Sequence, residues 1–137
     1  MAQIKKIVDS YSEEIVKIVN SLDNEKDLKN AFGKTNDKVG KSQLSKILNA
    51  IKTANSIEEI KLFIEYQEAK ADKGKSWNTK IEKSTLGKFI CKKIDEVIEL
   101  ADSVEGLESK ELIELKLRLG EKFFGYLYWK GTVYAQG

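Results

Sequence analysis

The residue types that most often perform catalysis are scarce in this chain. It contains no histidine, which removes the commonest general base and metal ligand. A serine or cysteine nucleophile needs a neighbouring base, and no local motif supplies one. Cys91 lies beside the apolar stripe of a predicted helix, so we interpret it as a half-buried structural residue, although Lys92 and Lys93 follow it. Neither glycine-rich phosphate-binding motif occurs. The sequence predicts no catalytic site and hence no enzyme.

One group of carboxylates has a spacing that is compatible with a metal site. Glu65, Glu68 and Asp72 follow one another at helical spacing and share a face with Lys61. Metal sites in helical bundles typically add histidine from Glu-x-x-His pairs, and none is present. We therefore interpret the group as a solvated ion-pair stripe and expect neither a metal nor another cofactor.

Lysines concentrate in and beside two predicted loops, and this pattern favours nucleic-acid binding. The first group comprises Lys34, Lys38, Lys41 and Lys46, and the second comprises Lys70, Lys73, Lys75, Lys80 and Lys83. Such lysines can neutralise a phosphate backbone, and Trp77 among them could stack on an unpaired base. Because Arg118 is the only arginine, bidentate base reading is poorly supplied and binding should tolerate many sequences. The alternative is that the lysines are ordinary surface residues and Trp77 folds onto the core.

Aromatic residues concentrate at the C-terminal end of the chain. Residues 121–137 hold Phe123, Phe124, Tyr126, Tyr128, Trp129 and Tyr134, half of all the aromatic residues. At 100° per residue the first five point all round a helix, so one core-facing stripe cannot accommodate them. Either other helices surround this end, or part of it is an interface with another protein.

The elements that must position these residues are helices. Apolar residues recur at helical spacing along most of the chain. We predict helices over residues 3–21, in a short segment ending at Gly33, from Ser42 to about Ala54, from a Ser56–Glu59 capping box to Gly74, from Ser84 or Thr85 to about Ala101, and from Ser109 to about Trp129. Polar loops are predicted at 33–41 and 74–84, and strand character only in the tail 131–134. The sequence predicts an all-α fold, a compact bundle of four to six helices.

The predicted helix that begins after Ser56 has two apolar sides. Ile60 and Ile64 belong to one side, whereas Leu62, Tyr66 and Ala69 fall on the other. This pattern indicates a central helix or one that meets a partner.

Composition and charge give the broad class of protein. With 137 residues, 41% hydrophobic and 34% charged, the chain has the size and composition of a single domain, 1–137. We find no apolar run near the length of a membrane span and no signal-peptide core, and a lone cysteine suits a reducing compartment, so we predict a cytoplasmic protein without membrane contact.

The charges are distributed unevenly along the chain. Lysines dominate residues 70–93 and carboxylates dominate residues 95–121. This predicts two electrostatically different surfaces, unless both are ordinary solvated helix faces.

Three segments, read in order, resemble the small helical subunit of type III CRISPR effector complexes. These are KSQLSKILNAIK (41–52), LFIEYQEAKADKG (62–74) and FFGYLYWKGTVYAQG (123–137). The first resembles that family's Ser/Thr-Ser-Gln segment leading into a basic helix, the second its middle helix, and the third its aromatic C-terminal helix. The chain departs from the family at Ser45, where a basic residue is common, and has lysine at 70 and 73 where arginine is usual.

The resemblance implies a non-catalytic subunit that stacks with copies of itself beside the duplex of CRISPR RNA and target RNA. Phosphate contacts would come from Lys41, Lys46, Lys52, Lys70 and Lys73. The lysine pattern described above adds Lys75 as a phosphate contact and Trp77 as a base-stacking residue of the predicted nucleic-acid site. Phe123, Tyr126 and Trp129 would contact neighbouring subunits. The expected function is thus RNA binding within an antiviral effector complex.

Two other functions are compatible with the same residues. The first is a helical protein–protein interaction module, an adaptor or regulator without a nucleic-acid role. The second is a DNA-binding regulator with a helix-turn-helix around Asn55, but Glu58, Glu59, Glu65 and Glu68 on its second helix would repel phosphate.

Overall fold

Helices account for most of the secondary structure. The structure, a computed structural model, describes residues 2–136, with the side chain of Ala2 excepted. The α-helices are α1 (Ala2–Ser10), α2 (Ser12–Asn20), α3 (Lys26–Lys29), α4 (Lys41–Thr53), α5 (Ile57–Lys70), α6 (Leu86–Ile98) and α7 (Ser109–Gln136), and the strands are β1 (Lys80–Ile81) and β2 (Ser84–Thr85). Short 3-10 turns occupy Ser21–Asn24, Ser76–Asn78 and Glu99–Ser103. The predicted all-α class is confirmed.

The helix predicted over residues 3–21 is divided at Tyr11, which brings the number of α-helices in residues 2–136 to seven. Tyr11 has φ −99° and ψ 6°, outside the helical region. Its amide still donates to the carbonyl of Val8, and its carbonyl accepts from Ile15. The Tyr11 hydroxyl lies 2.7 Å from the Ser103 hydroxyl. The break between α1 and α2 therefore places the Tyr11 side chain against the 3-10 turn that follows α6.

The other main helices pack on α7. Helices α1, α2, α4 and α6 all lie against it, and its residues Leu119, Phe123 and Phe124 are fully buried. It also runs beyond Trp129 to Gln136, so the strand character predicted for 131–134 is wrong. Near this end, the Tyr134 hydroxyl donates to Asp23 at 2.5 Å, and this bond helps to hold the last helical turns on the bundle.

The segment predicted as a loop at 74–84 contains the only strands in residues 2–136. Strands β1 and β2 pair antiparallel, with Lys80 opposite Thr85, and Glu82 in the turn between them has φ +56°. Strands of two residues are too short to show an alternating pattern, which is why the sequence did not reveal them. The hairpin carries the buried Ile81 into the core.

The helix N-termini are capped partly as predicted. The Thr85 hydroxyl accepts from the Lys88 amide and caps α6, and the Ser56 hydroxyl accepts from the Glu59 amide at α5. The Glu59 carboxylate, however, accepts from the Asn55 amide rather than that of Ser56. Helix α4 begins one residue before the predicted cap Ser42.

Within residues 2–136, no helix is long and apolar enough to cross a membrane.

Candidate nucleic-acid interface

The two predicted loops lie against each other, and this contact brings members of the two groups of lysines together. The Ser76 amide donates to the Asp37 carbonyl at 2.7 Å. Val39, near the end of the first loop, is fully buried. The loops are thus anchored to the core and to one another, although they lie nearly forty residues apart in sequence.

A groove of about 470 Å³ opens where α4, the C-terminal end of α5 and residues 71–77 meet. We call it the lysine groove. Its polar lining comprises Asn36, Asp37, Gln43, Lys46, Gln67, Lys70, Asp72, Lys75 and Ser76. Three lysines from three different segments therefore converge on one concave surface.

Most of the lysines that form salt bridges in this fold are partly buried, whereas the three lysines of the lysine groove are exposed. Lys46, Lys70 and Lys75 are exposed, and within residues 2–136 none of them forms a salt bridge. Lys61, by contrast, pairs with Asp95 on α6, and Lys93 pairs with Glu96 at 3.1 Å. No salt bridge within the described residues therefore keeps these ammonium groups from contacting an external anion.

Two carboxylates also line the groove. Asp37 accepts a hydrogen bond from the Thr35 hydroxyl, and this bond, one from its own backbone amide and the nearby charges of Lys75 and Lys38 hold the pKa of Asp37 below its usual value. Asp37 therefore stays ionised at neutral pH. With Asp72 exposed beside it, the lining combines three positive and two negative side chains.

The remaining lysines predicted to contact nucleic acid are distributed differently. Lys41 lines a second groove of about 430 Å³, which shares Asn36 and Gln43 with the lysine groove. Lys52 lies on α4 eleven residues after Lys41, which places it about 16 Å from Lys41 along the helix axis. Lys73 is exposed in the loop after α5. The fold thus gathers Lys41, Lys46, Lys70 and Lys75 on two adjoining grooves but not Lys52 or Lys73.

Trp77 does not belong to an exposed stacking surface, and that part of the prediction is wrong. Its side chain is only 1% exposed. The preceding Ser76 has φ +52°, and the 3-10 turn that contains both residues directs the indole into the core. Burial of a large aromatic ring offsets the cost of ordering this segment. A buried ring cannot present its face to a base.

Tyr66, and not Trp77, is an exposed aromatic residue beside the lysine groove. The sequence analysis did not assign Tyr66 to the site. It is 58% exposed, and the Lys70 ammonium lies 5.2 Å from its ring centroid, within range of a cation–π contact. The two-sided pattern of α5 was the signal that could have identified it. Leu62 on the same side is also exposed.

Of the three aromatic residues predicted to contact neighbouring subunits, one is excluded. Phe123 is fully buried in the core, so its assignment to a subunit contact is wrong. Tyr126 is half-buried, and Trp129 is 66% exposed, with 5.6 Å between their ring centroids. Both line a groove of about 690 Å³ along α1, α4 and α7, whose apolar lining also includes Ile4, Val8 and Leu48. We call it the aromatic groove.

The carboxylates beside Lys61 make contacts within the fold. Glu68 accepts a hydrogen bond from the Thr85 hydroxyl at 2.6 Å, and Lys61 pairs with Asp95 and Glu58 rather than with Glu65 or Asp72. Within residues 2–136, no group of three or more carboxylates and cysteines is arranged to hold a metal ion.

Cys91 is half-buried, as predicted. Burial raises the pKa of its thiol to about 11, and the nearby charge of Lys61 offsets only part of this effect. The thiol is therefore protonated at neutral pH, as a structural cysteine should be.

Comparisons with known proteins find no match to this chain among protein families, curated proteins or solved structures.

Proposed function

We propose that the protein binds RNA as a non-catalytic subunit of a ribonucleoprotein assembly. The observation that carries this proposal is the convergence of Lys46, Lys70 and Lys75 on one groove, where none of them forms a salt bridge within the described residues. Three exposed ammonium groups on a concave surface suit consecutive phosphates of a nucleic-acid backbone, whose binding releases condensed counterions.

Single-stranded RNA fits this surface better than a DNA duplex. Recognition of duplex DNA normally needs an element that enters the major groove with base-reading side chains. Here the basic surface is concave, and an exposed tyrosine, Tyr66, lies at its side with Lys70 over the ring. A phosphate track beside an aromatic face is the usual arrangement of a single-strand binder.

The assembly we favour is a type III CRISPR effector complex, because of the resemblance in segments 41–52, 62–74 and 123–137. In such a complex the lysine groove would contact the target RNA backbone. The proposal assigns antiviral defence to the assembly and backbone contact to this subunit, and it places the protein in the cytoplasm.

The same proposal assigns the aromatic groove to contact with a second copy of the chain. Exposed Trp129 and half-buried Tyr126 are residue types enriched in interface cores. The lining of the groove also carries both signs of charge: Lys5 and Lys122 are positive, and Glu114 and Glu121 are negative. A mixed rim of this kind can be complementary to itself, which an interface between identical subunits requires.

The experiment that tests RNA binding is charge reversal within the groove. We expect the triple variant Lys46→Glu, Lys70→Glu, Lys75→Glu to bind a fluorescein-labelled single-stranded RNA at least ~100-fold more weakly than wild type at low salt. For the wild type, three phosphate contacts predict that the logarithm of the binding constant falls with that of salt concentration with a slope of about −2.

The matched control reverses three exposed lysines that lie on α1, α2 and the start of α7, namely Lys6, Lys17 and Lys110. It changes the net charge equally and should retain most of the affinity. Equal loss in both triple variants would mean that net charge, rather than this groove, attracts the RNA. Absence of wild-type binding at low salt contradicts the proposal.

A protein–protein interaction module without an RNA role is the second candidate function. The observation that favours it is the aromatic groove, which stands independently of the lysines. A wild-type protein that associates with itself or with a protein partner but ignores RNA would select this candidate.

A further inference from the structure

The lysine groove contains a polar side chain whose position is unusual. Gln67 continues the buried stripe of α5 formed by Ile57, Ile60 and Ile64, and it is only 8% exposed. It also lines the groove. Leucine or methionine would fill a position on such a stripe without bringing a polar group out of water.

Within residues 2–136, no hydrogen bond joins the Gln67 amide to another protein group. In the part of the chain that the structure describes, the hydrogen bonds of the surrounding side chains join other groups: Asn78 to the Glu68 carbonyl and Thr85 to the Glu68 carboxylate. None involves the Gln67 side chain. The amide is not among the fully enclosed unpaired polar atoms of residues 2–136, and since Gln67 lines the groove, its hydrogen-bond partner comes from the groove, as water or as a ligand.

We propose that the lysine groove seats one unpaired RNA base whose edge is hydrogen-bonded by the Gln67 amide. This inference rests on the proposed function, since it assumes that the bound chain is RNA. It adds a base-reading residue to a surface otherwise suited to phosphate alone. The groove, at about 470 Å³, lies within the size range of sites for small organic ligands.

The chemistry of the lining favours a base over a phosphate as the group beside Gln67. A primary amide carries a donor and an acceptor side by side, which matches the paired donor and acceptor on the edge of a nucleobase. A phosphate would need donors only, and it would be repelled by Asp37 and Asp72 in the same lining. The exposed ammonium groups of Lys46, Lys70 and Lys75 are then left for the phosphates on either side of the base.

The test compares an RNA with and without its bases. Fluorescein-labelled ten-nucleotide RNAs of each homopolymer and an abasic strand of the same length are titrated with wild type, Gln67→Leu and Gln67→Met. We expect either substitution to weaken binding of the preferred homopolymer roughly 5- to 100-fold, the discrimination that an amide paired with a base edge provides. Affinity for the abasic strand and the dependence on salt should not change.

The variant Lys46→Glu serves as the contrast, because it should weaken binding of the abasic and base-bearing strands alike. Circular dichroism and thermal unfolding verify that both apolar variants at position 67 are folded, which we expect because they extend an apolar stripe. If they bind base-bearing RNA like wild type while Lys46→Glu does not, base reading is refuted and RNA binding stands. If wild type binds neither strand, the proposed function fails, and base reading fails with it.

Discussion

At the scale of single residues, an aromatic ring can stack on a base only where its face is accessible. Trp77 lies among lysines in sequence but is buried, whereas Tyr66 is exposed beside Lys70. The side chain available for stacking is therefore determined by the turn at Ser76 and by the outward side of α5, and not by proximity to lysine in sequence.

Replacement of Tyr66 tests this assignment. We expect Tyr66→Ala to weaken single-stranded RNA binding by about 1–3 kcal/mol, the contribution of one stacked base, while Tyr66→Phe retains affinity because the ring face is preserved. The measurement is fluorescence anisotropy with labelled RNA at fixed salt.

The control for Tyr66 is Trp77→Phe. It alters a buried ring that lines the lysine groove from the core side and whose indole Nε1 has no hydrogen-bond partner within residues 2–136, so RNA affinity should change less than in Tyr66→Ala. A larger loss of affinity in Trp77→Phe than in Tyr66→Ala would reverse the assignment.

Cys91 provides a prediction for pH dependence. Burial raises the pKa of this thiol to about 11 from a normal value of 9. At any pH below 9, the fraction of Cys91 present as thiolate is therefore smaller than in an unperturbed cysteine. The native protein should react with a thiol reagent on the order of 100 times more slowly than the urea-unfolded chain at pH 8. Its rate should rise about tenfold per pH unit between pH 7 and 9.5. A rate that levels off near pH 9 would show an unperturbed, accessible thiol.

At the scale of secondary-structure elements, the close approach of helices to α7 depends on glycine. A Cβ at Gly120 would lie 2.7 Å from the Ile57 Cδ1 and 3.1 Å from the Ile51 Cδ1. At Gly125, on the same helix, a Cβ would have no heavy atom within 4 Å among the described residues. Position 120 packs against other helices, and position 125 faces the open aromatic groove.

These two glycines form a matched pair for one substitution. Gly125→Ala should stabilise the protein by about 0.5–1 kcal/mol, because alanine is the better helix former and meets no obstacle. Gly120→Ala should instead destabilise it by about 1 kcal/mol, because the methyl groups that the new Cβ meets belong to the buried Ile57 and Ile51, whose displacement disturbs the core. Urea unfolding followed by circular dichroism measures both, and equal effects at the two positions would contradict this packing.

At the scale of the whole molecule, charge pairing limits how far the acidic segment 95–121 acts as one surface. Asp95 pairs with Lys61, and Arg118 pairs with both Glu114 and Glu121. The lysines of the groove have no such partners within the described residues. The convergence of three lysines without salt bridges on one concave surface, more than the net charge of +2, favours anion binding at the lysine groove.

Self-association through the aromatic groove is the prediction at this scale. Wild type should show a concentration-dependent increase in mass by sedimentation, and Trp129→Ser should raise the dissociation constant at least ~10-fold, since exposed tryptophans are frequent hot spots. The control Ile113→Ser removes an exposed apolar residue elsewhere on α7 and should have little effect. A wild type that stays monomeric up to millimolar concentration would contradict self-contact.

The sequence by itself determined the helical class and most helix positions. Both depend on the spacing of apolar residues along the chain, a local property that survives without knowledge of the fold. It also located the two lysine groups, and the two-sided pattern of α5 indicated a central helix or one that meets a partner.

Only the tertiary structure decided which of these residues share a surface. The convergence of Lys46, Lys70 and Lys75, the burial of Trp77 and Phe123, and the unpartnered amide of Gln67 all follow from contacts between segments distant in sequence. The bond from the Ser76 amide to the Asp37 carbonyl is one such contact. Whether a side chain is buried or exposed depends on what packs over it, and residue type and spacing alone do not specify that neighbour.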